Sequence, residues 1–205
     1  VGSELLQYLL GSSEYKRVIV LVRSEYPITH PKLVIKKVNF DESPFEDSEA
    51  VDDIFCCLGT TIKKAKTKEN FLKVDLQYPI ELAEWGAEND AKQYLVVSAM
   101  GANSKSKVFY NQVKGKLEDE LKRVGLPHVH IFRPSLLLGN RREFRLGEKI
   151  GEYVMKFIFF ALVGPWRKYR AIEAKQVAYA MYRKAVVQSN EPYSVYESDE
   201  IEKTK

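Results

Sequence analysis

The stretch QYLVVSAMGANSKSKVFYNQVK, residues 93–114, joins an apolar strand to a helix. Residues 93–97 are rich in apolar and β-branched side chains, and the turn residues that follow place Ser98 at the carboxyl end of the strand. Tyr110 and Lys114 are four residues apart, so both side chains project from one face of the helix. The stretch therefore predicts that a hydroxyl, a phenol and an ammonium group converge on one pocket.

This trio suits the reduction of a carbonyl or the oxidation of an alcohol. A phenol keeps its proton up to a pKa of about 10, so it needs nearby positive charge to act as an acid or base at neutral pH. Lys114 would supply that charge, and Ser98 would hydrogen-bond the substrate oxygen. A Tyr-x-x-x-Lys spacing also arises by chance on surface helices, so the assignment depends on the rest of the chain.

Apolar strands and helices alternate along the chain, which is typical of the α/β class. The strands are predicted at residues 17–23, 33–40, 53–58, 93–97, 128–133, 168–172 and 193–196. The helices are predicted at residues 1–10, 69–89, around Tyr110, at 150–163 and at 173–187, and the charged tail after residue 196 is expected to fray. The pattern predicts one Rossmann-like domain over residues 1–205, a doubly wound parallel sheet in three layers. Residues 140–172 are predicted to form a small substrate-side insertion.

The first helix would be the second half of a dinucleotide-binding βαβ unit. Such a helix follows a strand and a Gly-rich turn that holds pyrophosphate, and neither is present in these residues. Gly2 would be the last glycine of that turn, the one that lets the helix pack closely on the sheet. The link between residues 41 and 53 is also short for a crossover. We therefore expect the first strand and the Gly-rich turn to be missing from these 205 residues.

Strand ends after the first helix predict the cofactor. Arg23 and Ser24 follow the second strand of the fold, where an arginine suits the 2′-phosphate of NADP(H) and an acid would favour NAD. A solvated arginine is the alternative, and NAD stays open. Asn39 and Phe40 would lie beside the adenine. Leu58, Gly59 and Thr60 end the next strand, where a small residue lets the backbone approach a ligand.

Composition excludes several other classes of protein. A net charge of +4 is too small to indicate nucleic-acid binding. The longest apolar run, residues 157–163, is far shorter than the ~20 residues of a membrane span, so a cytoplasmic location is expected. The adjacent Cys56 and Cys57 do not suggest a disulfide. The histidines, at positions 30, 128 and 130, lack metal-ligand spacing, so no metal site is expected.

Four motifs carry a family resemblance: CLGTT at residues 57–61, SAMGA at 98–102, YNQVKG at 110–115 and RPSLLLG at 133–139. Together they resemble the atypical branch of the short-chain dehydrogenase/reductase family. The resemblance implies an NADP-binding Rossmann-like fold, with Ser98, Tyr110 and Lys114 on the catalytic positions. It also implies that Pro134 and Ser135 lie against the nicotinamide carboxamide.

Two positions depart from that family or are ambiguous within it. Asn39 stands where an aspartate is common, and Asp75 stands where many relatives carry an active-site asparagine, so the role of Asp75 is left open.

These observations predict an NADP(H)-dependent oxidoreductase of the short-chain dehydrogenase/reductase type, with Tyr110 as its acid or base. An NADPH-binding regulator that acts through protein partners without turnover is the main alternative, and an epimerase that uses bound nicotinamide shares the same residues. The expected partner is a small-molecule substrate, and a homodimer or a regulatory protein partner stays open. The apolar helix at 150–163 is interpreted as core, with a lid or an oligomer contact as the alternative.

Overall fold

Parallel strands form the centre of the computed structural model, which describes residues 1–42, 50–138, 169–187 and 190–204. Four strands make one parallel sheet in the order β3-β4-β5-β8: β3 (Asp53–Cys56), β4 (Gln93–Val97), β5 (His128–Arg133) and β8 (Tyr193–Glu197). Two further parallel pairs accompany it, namely β1 (Val18–Val22) with β2 (Leu33–Lys37), and the shorter β6 (Leu137–Leu138) with β7 (Ile172–Glu173).

Helices connect these strands. They are α1 (Gly2–Gly11), α2 (Ile62–Ala65), α3 (Lys68–Leu72), α4 (Tyr78–Glu88), α5 (Phe109–Leu121), α6 (Ala174–Val186) and α7 (Ser198–Lys203). A π-helical turn, Lys73–Gln77, joins α3 to α4. None of the helices in the described ranges is long and apolar enough to cross a membrane.

Two apolar clusters cover the two faces of the central sheet. On one face, α1 and α6 bury leucines and small residues against Leu95 and Phe132. On the other, α4 and α5 pack against Tyr94, Val96 and Ile131. Neighbouring residues of β4 thus point to opposite, equally buried faces, as in a strand of a parallel sheet covered by helices. The predicted three-layer α/β fold is confirmed.

A cavity of about 1340 Å³ separates the β1-β2 pair from the central sheet. Its walls are the facing residues of β1 and β3 and the inner leucines of α1. In a doubly wound sheet the first strand lies at this position, between the second and the fourth. That the expected first strand occupies this position stays a prediction.

The carboxyl-terminal tail corrects one expectation. Residues after 196 were expected to fray because they are charged, but Ser198–Lys203 form α7. A reciprocal capping box between Glu197 and Glu200 starts the helix, and Ile201 is buried at 1% exposure. The burial of one apolar side chain and one capping box therefore suffice to order this charged segment as a helix.

Other boundaries differ in detail. The helix expected at 69–89 is interrupted by the π-helical turn, and the strand expected at 168–172 is seen as Ile172–Glu173 in the described residues. The predicted 150–163 helix and most of the 140–172 insertion lie outside the described residues, as does most of the 41–53 link.

Gly115 sets the position of α5 against the loop that follows β4. A Cβ added there would lie 2.0 Å from the Ser104 nitrogen and 2.2 Å from the Asn103 carbonyl carbon. Both are backbone atoms, so the loop itself would have to move. The absence of a side chain at this position therefore holds the Tyr110 helix close to the end of β4.

Gly115→Ala is expected to lower the free energy of unfolding by about 3 kcal/mol, because the new methyl group overpacks backbone. Gly11→Ala is the matched control, since no atom lies within 4 Å of its added Cβ. That control is expected to change stability by less than about 1 kcal/mol, in the stabilising direction. Urea unfolding followed by circular dichroism measures both, and equal values would contradict the close approach.

Candidate functional site

The carboxyl ends of the parallel strands meet at one edge of the fold, where open α/β sheets bind their ligands. The residues that follow the strands there are Arg23 and Ser24 after β1, Leu58, Gly59 and Thr60 after β3, Ser98 after β4, and Pro134 and Ser135 after β5. Nearly all the residues that the sequence singled out therefore share this edge.

Helix α5 carries three polar residues in one stripe. Tyr110, Lys114 and Glu118 follow one another at four-residue spacing, so they lie on one face of the helix. Tyr110 is 37% exposed, whereas Lys114 and Glu118 are both buried at 3%. The ring of Tyr110 meets Phe71 edge-on, with centroids 5.9 Å apart. The stripe thus runs from a phenol near solvent to charges in the interior.

Lys114 is held by a buried carboxylate from the π-helical turn. Its Nζ lies 2.8 Å from Oδ1 of Asp75, and both side chains are almost completely enclosed. The other oxygen of Asp75 accepts the backbone N–H of Thr60 at 2.8 Å. The pair therefore ties α5 to the turn after β3.

Ser98 belongs to a second buried network. Its hydroxyl donates to Oε1 of Glu118 at 2.5 Å. Arg133 donates to the same carboxylate, with Nη2 2.5 Å from Oε2, and pairs with Glu197 at 3.0 Å. The hydrogen bond to Glu118 raises the pKa of the Arg133 guanidinium. The network joins β4, α5 and β5 to the start of α7.

The two networks separate the predicted catalytic residues. Tyr110 and Lys114 lie one helical turn apart on α5, as expected. The Ser98 hydroxyl bonds at the level of Glu118, which is roughly 12 Å further along the helix axis than Tyr110 at 1.5 Å per residue. The structure therefore brings Ser98 to the same helix face but directs its hydroxyl toward Glu118.

The predicted adenine side gathers at the end of β1 and β2. Arg23 and Ser24 are exposed. Phe40 is buried and packs on Tyr78, with ring centroids 5.5 Å apart. Burial, together with a hydrogen bond to Asp41, raises the pKa of Tyr78 to about 12, and the positive charge of Arg23 acts in the opposite direction.

Asn39 holds its own loop in place. Its side chain donates to Glu42 at 2.8 Å and accepts the backbone N–H of Asp41. These local contacts hold the backbone beside Phe40, and the Asn39 side chain makes them at the surface.

Two glycines, Gly2 and Gly59, lie at this edge in different surroundings. A Cβ on Gly2 would lie 3.3 Å from Cβ of Cys57, so α1 begins in close contact with the end of β3. The role of Gly2 in a phosphate-binding turn stays a prediction. A Cβ on Gly59 would meet only Asp75 Oδ1, at 3.6 Å.

The turn after β5 is braced on both sides. The carbonyl of Pro134 accepts the N–H of Met100 at 3.0 Å. The Ser135 hydroxyl donates to the carbonyl of Arg170 and accepts from Ser198 at 3.0 Å. The predicted carboxamide site therefore has a fixed backbone, and the Ser135 side chain contacts other parts of the protein.

Sequence reasoning missed Glu118 and Arg133 and left Asp75 without a role. Glu118 continues the four-residue spacing from Tyr110 and Lys114, so that spacing was the available signal. The contacts of Asp75 come from segments distant in sequence, and no local pattern indicates them.

The histidines and cysteines have structural surroundings. Burial lowers the pKa of His130 to about 4, and its Nδ1 lies 3.1 Å from the Tyr196 hydroxyl. Burial raises the pKa of the Cys57 thiol to about 12. Within the described ranges, no three His, Cys, Asp or Glu side chains gather in a metal-binding arrangement.

Solved structures share this fold. The Bordetella bronchiseptica enzyme WbmH, solved with NAD⁺, matches with a TM-score of 0.69 at 13% identity, over 97% of this chain and 72% of that one. The human epimerase family protein SDR39U1 (isoform 2), solved with NADPH, matches with a TM-score of 0.53 at 17% identity, over 95% and 68%. The fold is the Rossmann fold of NAD(P)-binding short-chain dehydrogenases/reductases and epimerases.

The HIM1 family model matches residues 13–158, and the chain belongs to the HIM1 family. Protein HTATIP2 of Rattus norvegicus is 30% identical over 192 residues, which are 90% of this chain and 76% of the relative. The mitochondrial protein FMP52 of Candida albicans is 34% identical over 161 residues, 75% of this chain and 70% of the relative.

The expected cytoplasmic location is wrong by this comparison. Several fungal relatives at 30–34% identity are named mitochondrial proteins. Composition and the absence of a long apolar run carry no information on transport into an organelle, so the sequence argument had no means of detecting it.

Glu118→Ala is expected to lower the free energy of unfolding by about 3 kcal/mol, because it removes the acceptor of Ser98 and one carboxylate of Arg133 from a buried network. Glu120→Ala is the matched control on the same helix, since Glu120 pairs with Arg123 at the surface. Exposed pairs contribute little, so no measurable change is expected there. Urea unfolding measures both, and equal losses would contradict the stabilising role of the buried network.

Proposed function

We propose that this chain is an NADP(H)-dependent oxidoreductase of the short-chain dehydrogenase/reductase type, which transfers hydride between nicotinamide and a carbonyl or alcohol substrate. The observation that carries the proposal is the position of the exposed Tyr110 one helical turn from the buried Lys114, at the edge of the sheet where such folds bind ligands. A small-molecule substrate follows from this chemistry, and a homodimer or a regulatory protein partner stays a prediction.

The residues at this edge fit an anionic dinucleotide. Gly2 begins a helix of ten residues, and its amino-terminal dipole favours phosphate. Arg23 is exposed at the end of β1, where its guanidinium would take a 2′-phosphate. The open backbone at Gly59 supports close approach of a ligand. Solved neighbours that carry NAD⁺ or NADPH support the same class of cofactor.

Tyr110 and Lys114 would divide the proton chemistry. When bound, the nicotinamide would supply or accept the hydride. The Tyr110 phenol would donate its proton to the substrate carbonyl oxygen during reduction and take a proton from the alcohol during oxidation. The Lys114 ammonium would favour the phenolate electrostatically, an effect that the negative charge of Asp75 in the same buried ion pair opposes.

Ser98 stays a proposed catalytic residue on the strength of the sequence resemblance. Its hydroxyl proton is donated to Glu118 in this structure. To donate to a substrate oxygen near Tyr110, the hydroxyl would have to leave Glu118.

That contact favours the second candidate function. An NADPH-binding regulator that acts through protein partners needs no serine beside the substrate, and it would retain Ser98 for its bond to Glu118. The mitochondrial names of the fungal relatives support a mitochondrial location for either function.

Tyr110→Phe is expected to reduce NADPH oxidation by at least about 100-fold, because the proton donor is lost, while NADPH affinity stays within about twofold. A screen of aldehydes, ketones and quinones identifies a substrate for the assay, and fluorescence titration gives the affinity. Tyr8→Phe is the control, since Tyr8 packs on Tyr179 and Tyr182 of α6. Tight NADPH binding without turnover of any carbonyl would contradict the oxidoreductase and favour the regulator.

A further inference from the structure

Asp75 is buried next to the proposed site, where it contacts Lys114. It is 1% exposed, although the neighbouring Lys73 and Gln77 of the same π-helical turn face solvent. Turns of this kind are rare and occur frequently at functional sites. Here the turn directs a carboxylate into the interior.

Both neighbours of the Asp75 carboxylate are hydrogen-bond donors. Oδ1 is 2.8 Å from the Lys114 ammonium, and Oδ2 accepts the backbone N–H of Thr60 at 2.8 Å. The site therefore needs two acceptor oxygens. An asparagine offers one oxygen and one NH₂ group, so at one of the two contacts its NH₂ group would lie against another N–H donor and no hydrogen bond could form.

The two contacts join the two sides of the proposed pocket. Thr60 belongs to the turn after β3, which is the cofactor side, and Lys114 belongs to the helix of the acid/base residue. A lysine side chain has four flexible carbons and loses much rotamer freedom when it is held in place. An ammonium has three N–H donors, and fixing one of them on Asp75 restricts the directions of the other two.

We propose that Asp75 is a positioning residue for cofactor binding: it holds the Lys114 ammonium against the Gly59–Thr60 turn so that this ammonium meets the nicotinamide ribose of NADP(H). The inference rests on the proposed function, since it assumes NADP(H) at this edge. It assigns Asp75 no contact with the cofactor or the substrate. Its effect on binding passes through Lys114.

The alternative is a contribution to stability alone. A buried ion pair that loses one partner destabilises the fold whatever the site does. The two roles predict different coupling between the effects of replacing Asp75 and of replacing Lys114. A positioning residue loses its effect on NADPH affinity once Lys114 is replaced, whereas an effect that spreads through the fold adds to the Lys114 effect.

A double-mutant cycle on NADPH affinity separates these roles. Asp75→Asn is expected to weaken binding about tenfold, and Lys114→Met by at least as much, since each loses a charge-assisted contact. The double variant is expected to bind no more weakly than Lys114→Met, and it has no uncompensated buried charge that would prevent folding. Unchanged affinity in Asp75→Asn, or losses that multiply in the double variant, would overturn the proposal.

Amine labelling followed by mass spectrometry gives a second readout that needs no cofactor. Lys114 is expected to react much more slowly than the exposed Lys116 in the unmodified protein, and Asp75→Asn is expected to raise the Lys114 rate several-fold. An unchanged rate would overturn the positioning role. If the unmodified protein binds no NADPH, the proposed function fails, and the labelling rate still decides whether Asp75 holds Lys114.

Asp52→Asn is the matched control for both measurements. Asp52 forms a 2.6 Å ion pair with Lys92, both side chains are more than 70% exposed, and the pair lies at the amino ends of β3 and β4. The change removes an aspartate from a lysine without touching the proposed site. Neither the NADPH affinity nor the labelling of Lys114 is expected to change.

Discussion

The buried ion pair between Asp75 and Lys114 is the contact on which the geometry of the site depends. Two charges enclosed in a protein interior are costly unless each finds a partner and the remaining polar atoms are bonded. Thr60 contributes to meeting that requirement by donating its backbone N–H to the second oxygen of Asp75. The arrangement fixes three segments at once: the turn after β3, the π-helical turn and helix α5.

A second constraint acts at the other end of α5. Glu118 accepts hydrogen bonds from Ser98 and Arg133, and Arg133 also forms an ion pair with Glu197 at the start of α7. The carboxyl-terminal helix is thereby connected to the helix that bears Tyr110. Gly115 lies between the two charged contacts and allows the loop after β4 to touch α5 directly. The Tyr110 phenol thus lies near solvent at the start of α5, and the buried contacts of Lys114 and Glu118 fix the inner face of that helix.

The sequence was sufficient to predict the parallel sheet and the edge at which the candidate site residues gather. Apolar runs with β-branched residues mark buried strands, and the residues that follow such strands must share one edge. The four-residue spacing of Tyr110 and Lys114 was also visible. The sequence was insufficient for contacts between distant segments, such as Asp75 with Lys114 or Ser98 with Glu118, because no local periodicity encodes them. The short helix α7 was missed for a related reason, since a single buried Ile201 stabilises an otherwise charged segment.

The central claim is that this edge of the sheet binds the nicotinamide half of NADP(H) beside Tyr110 and Lys114. A crystal structure of the protein with NADP⁺ tests it most directly. We expect the nicotinamide ribose to lie within about 3 Å of the Lys114 Nζ, a hydrogen-bond distance, with the Asp75 contact retained and the Tyr110 hydroxyl facing the nicotinamide ring. A cofactor bound elsewhere, or a ribose that contacts neither Tyr110 nor Lys114, would contradict the account.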